Sequence, residues 1–265
     1  MNECQNCGGA MITKGGGIYK CRFCGNVWKD PSFVPPKAQA PQAPREQQTR
    51  TQTVSAQRGG GSYVYEKNIN GILEIVCSYP NCSSAGSGFL ISGGYAITNA
   101  HVVTNNYIPC KDIQVTVAGE TVGASIFALG DDRGGEGNGD DLAILRLDRV
   151  PTGAKYVELA DFSSVRIGES VYVIGNSLGH GTCITGGIVS DDLREVDGHM
   201  LLMTDCAVNG GNSGGPIFNE QGLAIGAIVS KMTNVEGMNF AIPSNTVMRF
   251  LRKNNIIPGG ARSSW

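Results

Sequence analysis

Between residues 72 and 242 the chain reads as short β-rich runs set apart by turn residues, with no helical periodicity between them. That pattern constrains the fold more than any other feature. The first set of runs covers 72–77, 87–91, 95–98, 113–117, 124–129 and 142–147; the second covers 170–174, 183–189, 200–204, 215–218, 223–229 and 239–242. Antiparallel closure is the economical way to remove the edges of so many short strands, so each set predicts a six-stranded barrel. The expectation is an all-β protein with one barrel over about 63–147 and another over about 165–242. Ser244 stands where it can cap a short C-terminal helix in which Val247, Phe250 and Leu251 share one face. Residues 258–265 read as a frayed tail.

The stretch Gly210-Gly211-Asn212-Ser213-Gly214-Gly215-Pro216 is where chemistry would sit. A serine hydroxyl is a poor nucleophile unless a base takes its proton and donors meet the oxygen of the carbonyl it attacks. Glycines on both sides allow unusual dihedrals and bring bare N–H groups close to a substrate, so the amides of Gly211 and Ser213 are candidate oxyanion donors. The same residues also make an ordinary turn. What favours chemistry is a candidate base and a candidate orienting acid elsewhere. His101 lies at the corner after an apolar run, and Asp141, with Asp140 as the fallback, stands directly before 142–147. Three such elements in the order His, Asp, Ser, each at a strand end, fit the logic of a catalytic triad.

Thr98-Asn99-Ala100-His101-Val102, Asp141-Leu142-Ala143-Ile144-Leu145, Gly175-Asn176-Ser177-Leu178-Gly179, Thr185-Gly186-Gly187-Ile188-Val189-Ser190, Thr204-Asp205, Gly211-Asn212-Ser213-Gly214-Gly215-Pro216 and Asn239-Phe240-Ala241-Ile242-Pro243 together resemble the HtrA/Deg branch of the trypsin-like (chymotrypsin-fold) serine proteases. The likeness covers about residues 62–254, every block in family order. It implies a chymotrypsin-like double β-barrel and a serine endopeptidase that works through an acyl-enzyme on polypeptide substrates, with His101, Asp141 and Ser213 as the triad and no cofactor for catalysis. Members commonly carry a PDZ domain after the protease, and this chain is expected to lack one; trimers occur among relatives. Where enzymes activated by clipping have an aspartate before the nucleophile, this chain has the neutral Asn212, so that ion pair is not available. Rearrangement of loops such as 176–185 is the expected control, with His180 a surface residue. By the same alignment the primary pocket has its floor near Ala207 and its wall near Ile228, Val229 and Ser230. No acid there meets Lys or Arg, which points to a small or medium aliphatic residue before the scissile bond.

Residues 1–30 contain Cys4-Gln5-Asn6-Cys7-Gly8 and Cys21-Arg22-Phe23-Cys24-Gly25. Two residues between sulfurs let both thiolates face one ion, and the glycine after each pair lets the backbone turn tightly. The segment between suits a hairpin with Gly15-Gly16-Gly17 near its tip. The pattern predicts a zinc ribbon in which Cys4, Cys7, Cys21 and Cys24 hold one structural Zn²⁺. So short a segment buries too little apolar surface to fold alone, and the metal would supply the difference. Disulfides, a redox pair, or iron in the same cage are the competing readings. Tyr19, Phe23 and Trp28 could stack on bases but are weighted as the ribbon's own small core, and the ribbon as a recognition or tethering module for a protein partner.

Residues 31–61 turn to Pro, Gln, Ala, Thr and Ser and end in Gly59-Gly60-Gly61, the composition of a disordered linker between the ribbon and a protease domain over 62–257. A net charge of −2 argues against a nucleic-acid partner. No basic segment precedes an apolar run at the start and no long apolar stretch follows, so the sequence points to a cytoplasmic protein off the membrane, whose thiols stay reduced. Cys77, Cys82, Cys110, Cys183 and Cys206 are expected to be buried thiols. The loop 131–140, rich in carboxylates and glycine, lacks the alternation of a calcium site and reads as solvated. The rival to an endopeptidase is a non-catalytic or latent adaptor whose ribbon binds a partner. Elemental analysis of the purified chain should return about one zinc per chain, lost in Cys4→Ser; iron, or no metal in a folded protein, would overturn the ribbon's reading.

Overall fold

The computed structural model describes residues 11–15, 18–21, 27–29, 60–130, 141–196, 198–229 and 238–258. The chain divides into two compact units, Met1–Val54 and Ser55–Trp265. In the first, β1 (Met11–Gly15), β2 (Ile18–Cys21) and β3 (Val27–Lys29) form an antiparallel sheet in that order. Cys4, Cys7, Cys24 and the side chain of Cys21 lie outside the described residues, as do the linker 31–59 and the loop 131–140.

The second unit begins with α1 (Gly61–Asn68), a helix the sequence pattern did not predict between the end of the linker and the first strand. Its weak intrinsic preference is overridden by tertiary contact: Val64 is fully buried, and the buried Asn68 donates through Nδ2 to Val64 O and Gly222 O, both at 3.1 Å. Then come β4 (Ile72–Tyr79), β5 (Cys82–Ile91) and β6 (Tyr95–Thr98). The one-turn α2 (Ala100–Val103) and the small hairpin of β7 (Thr104–Asn105) and β8 (Ile108–Pro109) lead to β9 (Asp112–Val117), β10 (Glu120–Leu129) and β11 (Ala143–Leu147). The strands close in the order β10-β11-β6-β5-β4-β9. Period-two alternation sets the inside: Leu73, Ile75 and Cys77 of β4 point into a core with Val115, Val117 and Leu145, while Val76 faces water.

A second ring is formed by β12 (Ser170–Asn176), β13 (Thr182–Val196), β14 (His199–Thr204), β15 (Pro216–Asn219), β16 (Ala224–Val229) and β17 (Asn239–Pro243), closed in the order β12-β13-β14-β17-β16-β15. Its interior holds Val171, Val173, Val189, Leu202, Ile217, Ile225 and Ile228. β13 runs well past residue 189, carried by two register shifts against β14 that leave this strand mostly solvated. Between the rings lies a further apolar cluster with Phe89, Ile91, Ile97 and Ile144 on one side and Ile174, Phe218, Ala227 and Ile242 on the other.

α3 (Ser244–Lys253) packs Val247, Phe250 and Leu251 into that cluster. Ser244 does not cap it. The helix starts after Pro243, and the buried Ser244 hydroxyl donates to Ala160 O at 3.0 Å, tying the helix to the connection between the barrels. Pro258 is buried, so fraying cannot begin there. Among the described residues no helix is long and apolar enough to cross a membrane.

The cysteines correct the expectation of five buried thiols: Cys77, Cys110 and Cys206 are buried, whereas Cys82 and Cys183 are exposed because they face outward near strand ends. Burial, with Cys110 beside it, pushes the Cys77 thiol up to about 12. Alkylation of the native protein followed by peptide mapping should modify Cys82 and Cys183. Cys77, Cys110 and Cys206 should stay unmodified at neutral pH until denaturant is added, since burial keeps the reagent from them; rapid native labelling of Cys77 would contradict this core.

Candidate active site

β6 ends at Thr98, and the chain turns through Asn99 into α2, which projects His101. The Asp141 carboxylate, at the start of the run into β11, grips that turn twice. Its Oδ2 lies 2.6 Å from His101 Nδ1, and its Oδ1 accepts the His101 backbone N–H at 3.0 Å. The Asn99 side chain in turn donates to Asp141 O at 2.8 Å. β6 and β11 are paired neighbours, with Thr98 opposite Ala143, so the sheet register brings histidine and carboxylate together. A carboxylate at Nδ1 fixes the imidazole with a proton on that nitrogen and leaves Nε2 as the basic one.

Ser213 sits in the loop before β15 and is buried, with 6% of its surface accessible. Its backbone is locked against the first barrel: Ser87 N–H donates to Ser213 O at 2.8 Å. Gly214, at φ 81°, lies where any Cβ would overlap Thr98 Oγ1 and Ser87 O and stand 2.8 Å from Asn99 N. A Cβ at Gly86 would stand 2.6 Å from Val102 Cγ2 and 3.2 Å from Ser213 O. Bare backbone on both sides is thus what seats Ser213 beside the histidine turn. No hydrogen bond joins Ser213 Oγ to the imidazole among the described residues; such contacts are commonly long without substrate and tighten when it binds.

Asn212 N–H donates to Asn209 O at 3.1 Å, closing a four-residue turn with Gly211 at φ 96° in its third position. A positive φ there and not at Gly210 marks a type II turn, which calls for glycine. Neither the Gly211 nor the Ser213 amide donates to a described group. The Gly214 and Gly215 segment is held by Gly214 N to Ile228 O at 2.9 Å and Ile228 N to Gly215 O at 2.8 Å.

Of the pocket candidates, Ala207 is exposed and its carbonyl accepts from Thr185 Oγ1 at 2.9 Å, and Val229 is half-buried. Ile228 is fully buried inside the second barrel, where the inward alternation of β16 sends it, so its backbone rather than its side chain meets the Ser213 loop. Ser230 lies outside the described residues. His180 is exposed. Among the described residues no cluster of His, Cys, Asp or Glu could hold a metal.

The residue to which pattern reading assigned no role is Ser87. Gly86-Ser87-Gly88-Phe89, ahead of the histidine strand, fits the protease resemblance as a block, yet the serine itself is fully buried with all its polar atoms engaged. A lone polar residue between glycines in an apolar strand was the available signal.

A carboxylate–imidazole pair, a buried serine on a glycine-rich loop and an all-β fold of closed six-stranded sheet define the class of a trypsin-like peptidase domain. Comparison agrees. The family described as "Trypsin-like peptidase domain" matches residues 86–226, more than half of the chain, and the chain belongs to it. It is 35% identical over 204 residues to a probable periplasmic serine endoprotease DegP-like of Rickettsia prowazekii (strain Madrid E), covering 72% of this chain and 38% of that one. It is 33% identical to the serine protease Do-like HtrA of Lactobacillus helveticus over 64% of this chain and 43% of the relative. Among solved structures it is similar to the HtrA-type protease AlgWS227A with tripeptide, at TM-score 0.62 and 27% identity over 72% of this chain and 62% of that one. The serine endoprotease from Yersinia pestis is alike at TM-score 0.61 and 26% identity, over 72% and 65%. The chain thus spans under half the length of the sequence relatives named.

The cytoplasmic expectation is overturned by these relatives, several of which are named periplasmic. The start of the chain was a poor guide to compartment, and the inference that its thiols stay reduced loses its support with it.

Gly214→Ala and Gly119→Ala separate crowding from dihedral strain, because both glycines have φ near 80° but Gly119 has nothing within 4 Å of a Cβ. Urea unfolding should show Gly119→Ala losing about 1–2 kcal/mol and Gly214→Ala at least about 1–3 kcal/mol more. Equal losses would mean that the Ser213 loop is not seated against Thr98 and Ser87.

Proposed function

We propose that the chain hydrolyses peptide bonds with Ser213 as nucleophile, His101 as general base and then acid, and Asp141 as the group that orients the imidazole and stabilises its charged form. The observation that carries this reading is the double grip of Asp141 on His101, side chain and backbone together, on a turn that touches the Ser213 loop. Ser213 Oγ attacks the carbonyl carbon as its proton passes to His101 Nε2. The carbonyl oxygen becomes an oxyanion held by the Gly211 and Ser213 amides. Collapse breaks the C–N bond, His101 returns the proton to the departing amine, and an acyl-enzyme remains. Water, deprotonated by the same histidine, then releases the acid and restores the hydroxyl.

Ala207 and Val229, with Ser230, would bound the pocket for the side chain before the scissile bond. Ile228 is withdrawn into the core, and the candidates Ala207, Val229 and Ser230 carry no charge, which supports preference for small or medium aliphatic residues. The ribbon reading also stands as a proposal: Cys4, Cys7, Cys21 and Cys24 hold a structural zinc, and the surrounding segment engages a protein partner rather than nucleic acid. Assembly as a trimer belongs with it, on family resemblance alone.

A fluorophosphonate probe should label the purified wild type and fail to label Ser213→Ala or His101→Ala. Asp141→Asn should fold and lose about 10⁴-fold in kcat, as expected when the imidazole tautomer is no longer set. A folded wild type that neither labels nor cleaves would sink the reading. Cleavage after Lys or Arg in a peptide library would sink the specificity alone.

A further inference from the structure

We propose that Ser87, a residue of the first barrel, is the positioning residue of the oxyanion hole formed on the second. This rests on the reading of Ser213 as nucleophile. Ser87 is fully buried and its atoms reach three separate segments. Its N–H donates to Ser213 O at 2.8 Å, its carbonyl accepts from Thr98 Oγ1 at 2.7 Å, and its hydroxyl donates to Gly211 O at 2.6 Å while accepting from Asn176 N–H at 2.9 Å.

The hydroxyl matters because of what it holds. Gly211 O and Asn212 N–H belong to one peptide unit, and both ends of it are fixed, the carbonyl by Ser87 and the N–H by Asn209 O. The Gly211 amide lies across one Cα from that unit and the Ser213 amide across the other. Turning the unit changes ψ of Gly211 and φ of Asn212, and so re-aims one donor against the other. Gly211 has no Cβ to resist that rotation. The turn bond to Asn209 holds the N–H end from within the loop, and Ser87 is the side chain that holds the carbonyl end from outside it. Glycines make the room: a Cβ on Gly175 would stand 2.9 Å from Ser87 Oγ, and one on Gly215 3.1 Å from Ser87 Cβ. Closing β5 into its barrel needs no hydroxyl here, and burying one is unfavourable unless it is bonded. Both of its bonding roles are spent on the loop and on the end of β12.

The test compares wild type, Ser87→Ala and Ser87→Thr for steady-state cleavage of a peptide substrate, inhibition by a peptide aldehyde that forms an oxyanion in the site, and unfolding in urea. Ser87→Ala should lower kcat by about 10- to 100-fold, somewhat less than loss of a donor itself. KM should move less than about 3-fold and aldehyde inhibition should weaken in step with kcat/KM. Ser87→Thr, which keeps the hydroxyl, should recover most of kcat. A folded Ser87→Ala with kcat within about 2-fold of wild type, or with KM raised and kcat unchanged, would overturn the proposal. So would a folded Ser87→Thr as impaired as the alanine. If Ser87→Ala fails to fold, Ser87→Cys, nearly isosteric but a weak donor, takes its place with the same expected loss of kcat. Inactivity of the wild type itself would instead bring down the protease reading and this inference with it.

Discussion

The apolar seam between the two rings is the constraint from which the site follows. Phe89 and Ile97 face it from β5 and β6, and Ile174 and Phe218 from β12 and β15. Each buried side chain of this size contributes about 1.5–3 kcal/mol. The same strands continue to the site: β6 ends one residue before the histidine turn, β15 begins just after the Ser213 loop, and Ser87 precedes Phe89 by two residues on β5. Packing at the seam thus fixes the approach of two loops that share no strand. α3 and the Ser244 hydroxyl close the seam's far side, so the helix, remote in sequence from the chemistry, still bears on its geometry.

Much of this was legible in the chain. Alternation located the strands, and three motif blocks marked His101, Asp141 and Ser213 because a triad calls for those residue types at strand ends; the fold pairs the first two and seats the third against their turn. What was not legible depends on contacts between distant segments. α1 forms because Asn68 finds Gly222 across 154 positions, which no local propensity encodes. Ser244 has the residue type of a cap and a different partner. Ile228 lies in a run with Val229 where a single step of alternation decides between core and pocket. Ser87 gave no sign of its partners, because its bonds to Gly211 and Asn176 span 124 and 89 positions and no local pattern links those motifs to it. Compartment is further still from such reading, since no packing interaction records it, and only the relatives corrected it.

The site also shows where stability is given up. Asn99 and Asn212 each keep a buried side-chain oxygen without a partner among the described residues, and they adjoin the histidine turn and the nucleophile. An unbonded buried carbonyl of this kind costs about 1–3 kcal/mol, and Gly214 adds a backbone region closed to other residues. These are the positions at which a fold selected for stability alone would differ. Asn212 in particular could be exchanged for an apolar side chain of similar size, with the orphaned oxygen removed, were the loop only a connection between strands. Its unbonded oxygen lies beside two amides that donate to no described group, so this loop leaves polar groups open that a mere connection between strands would close.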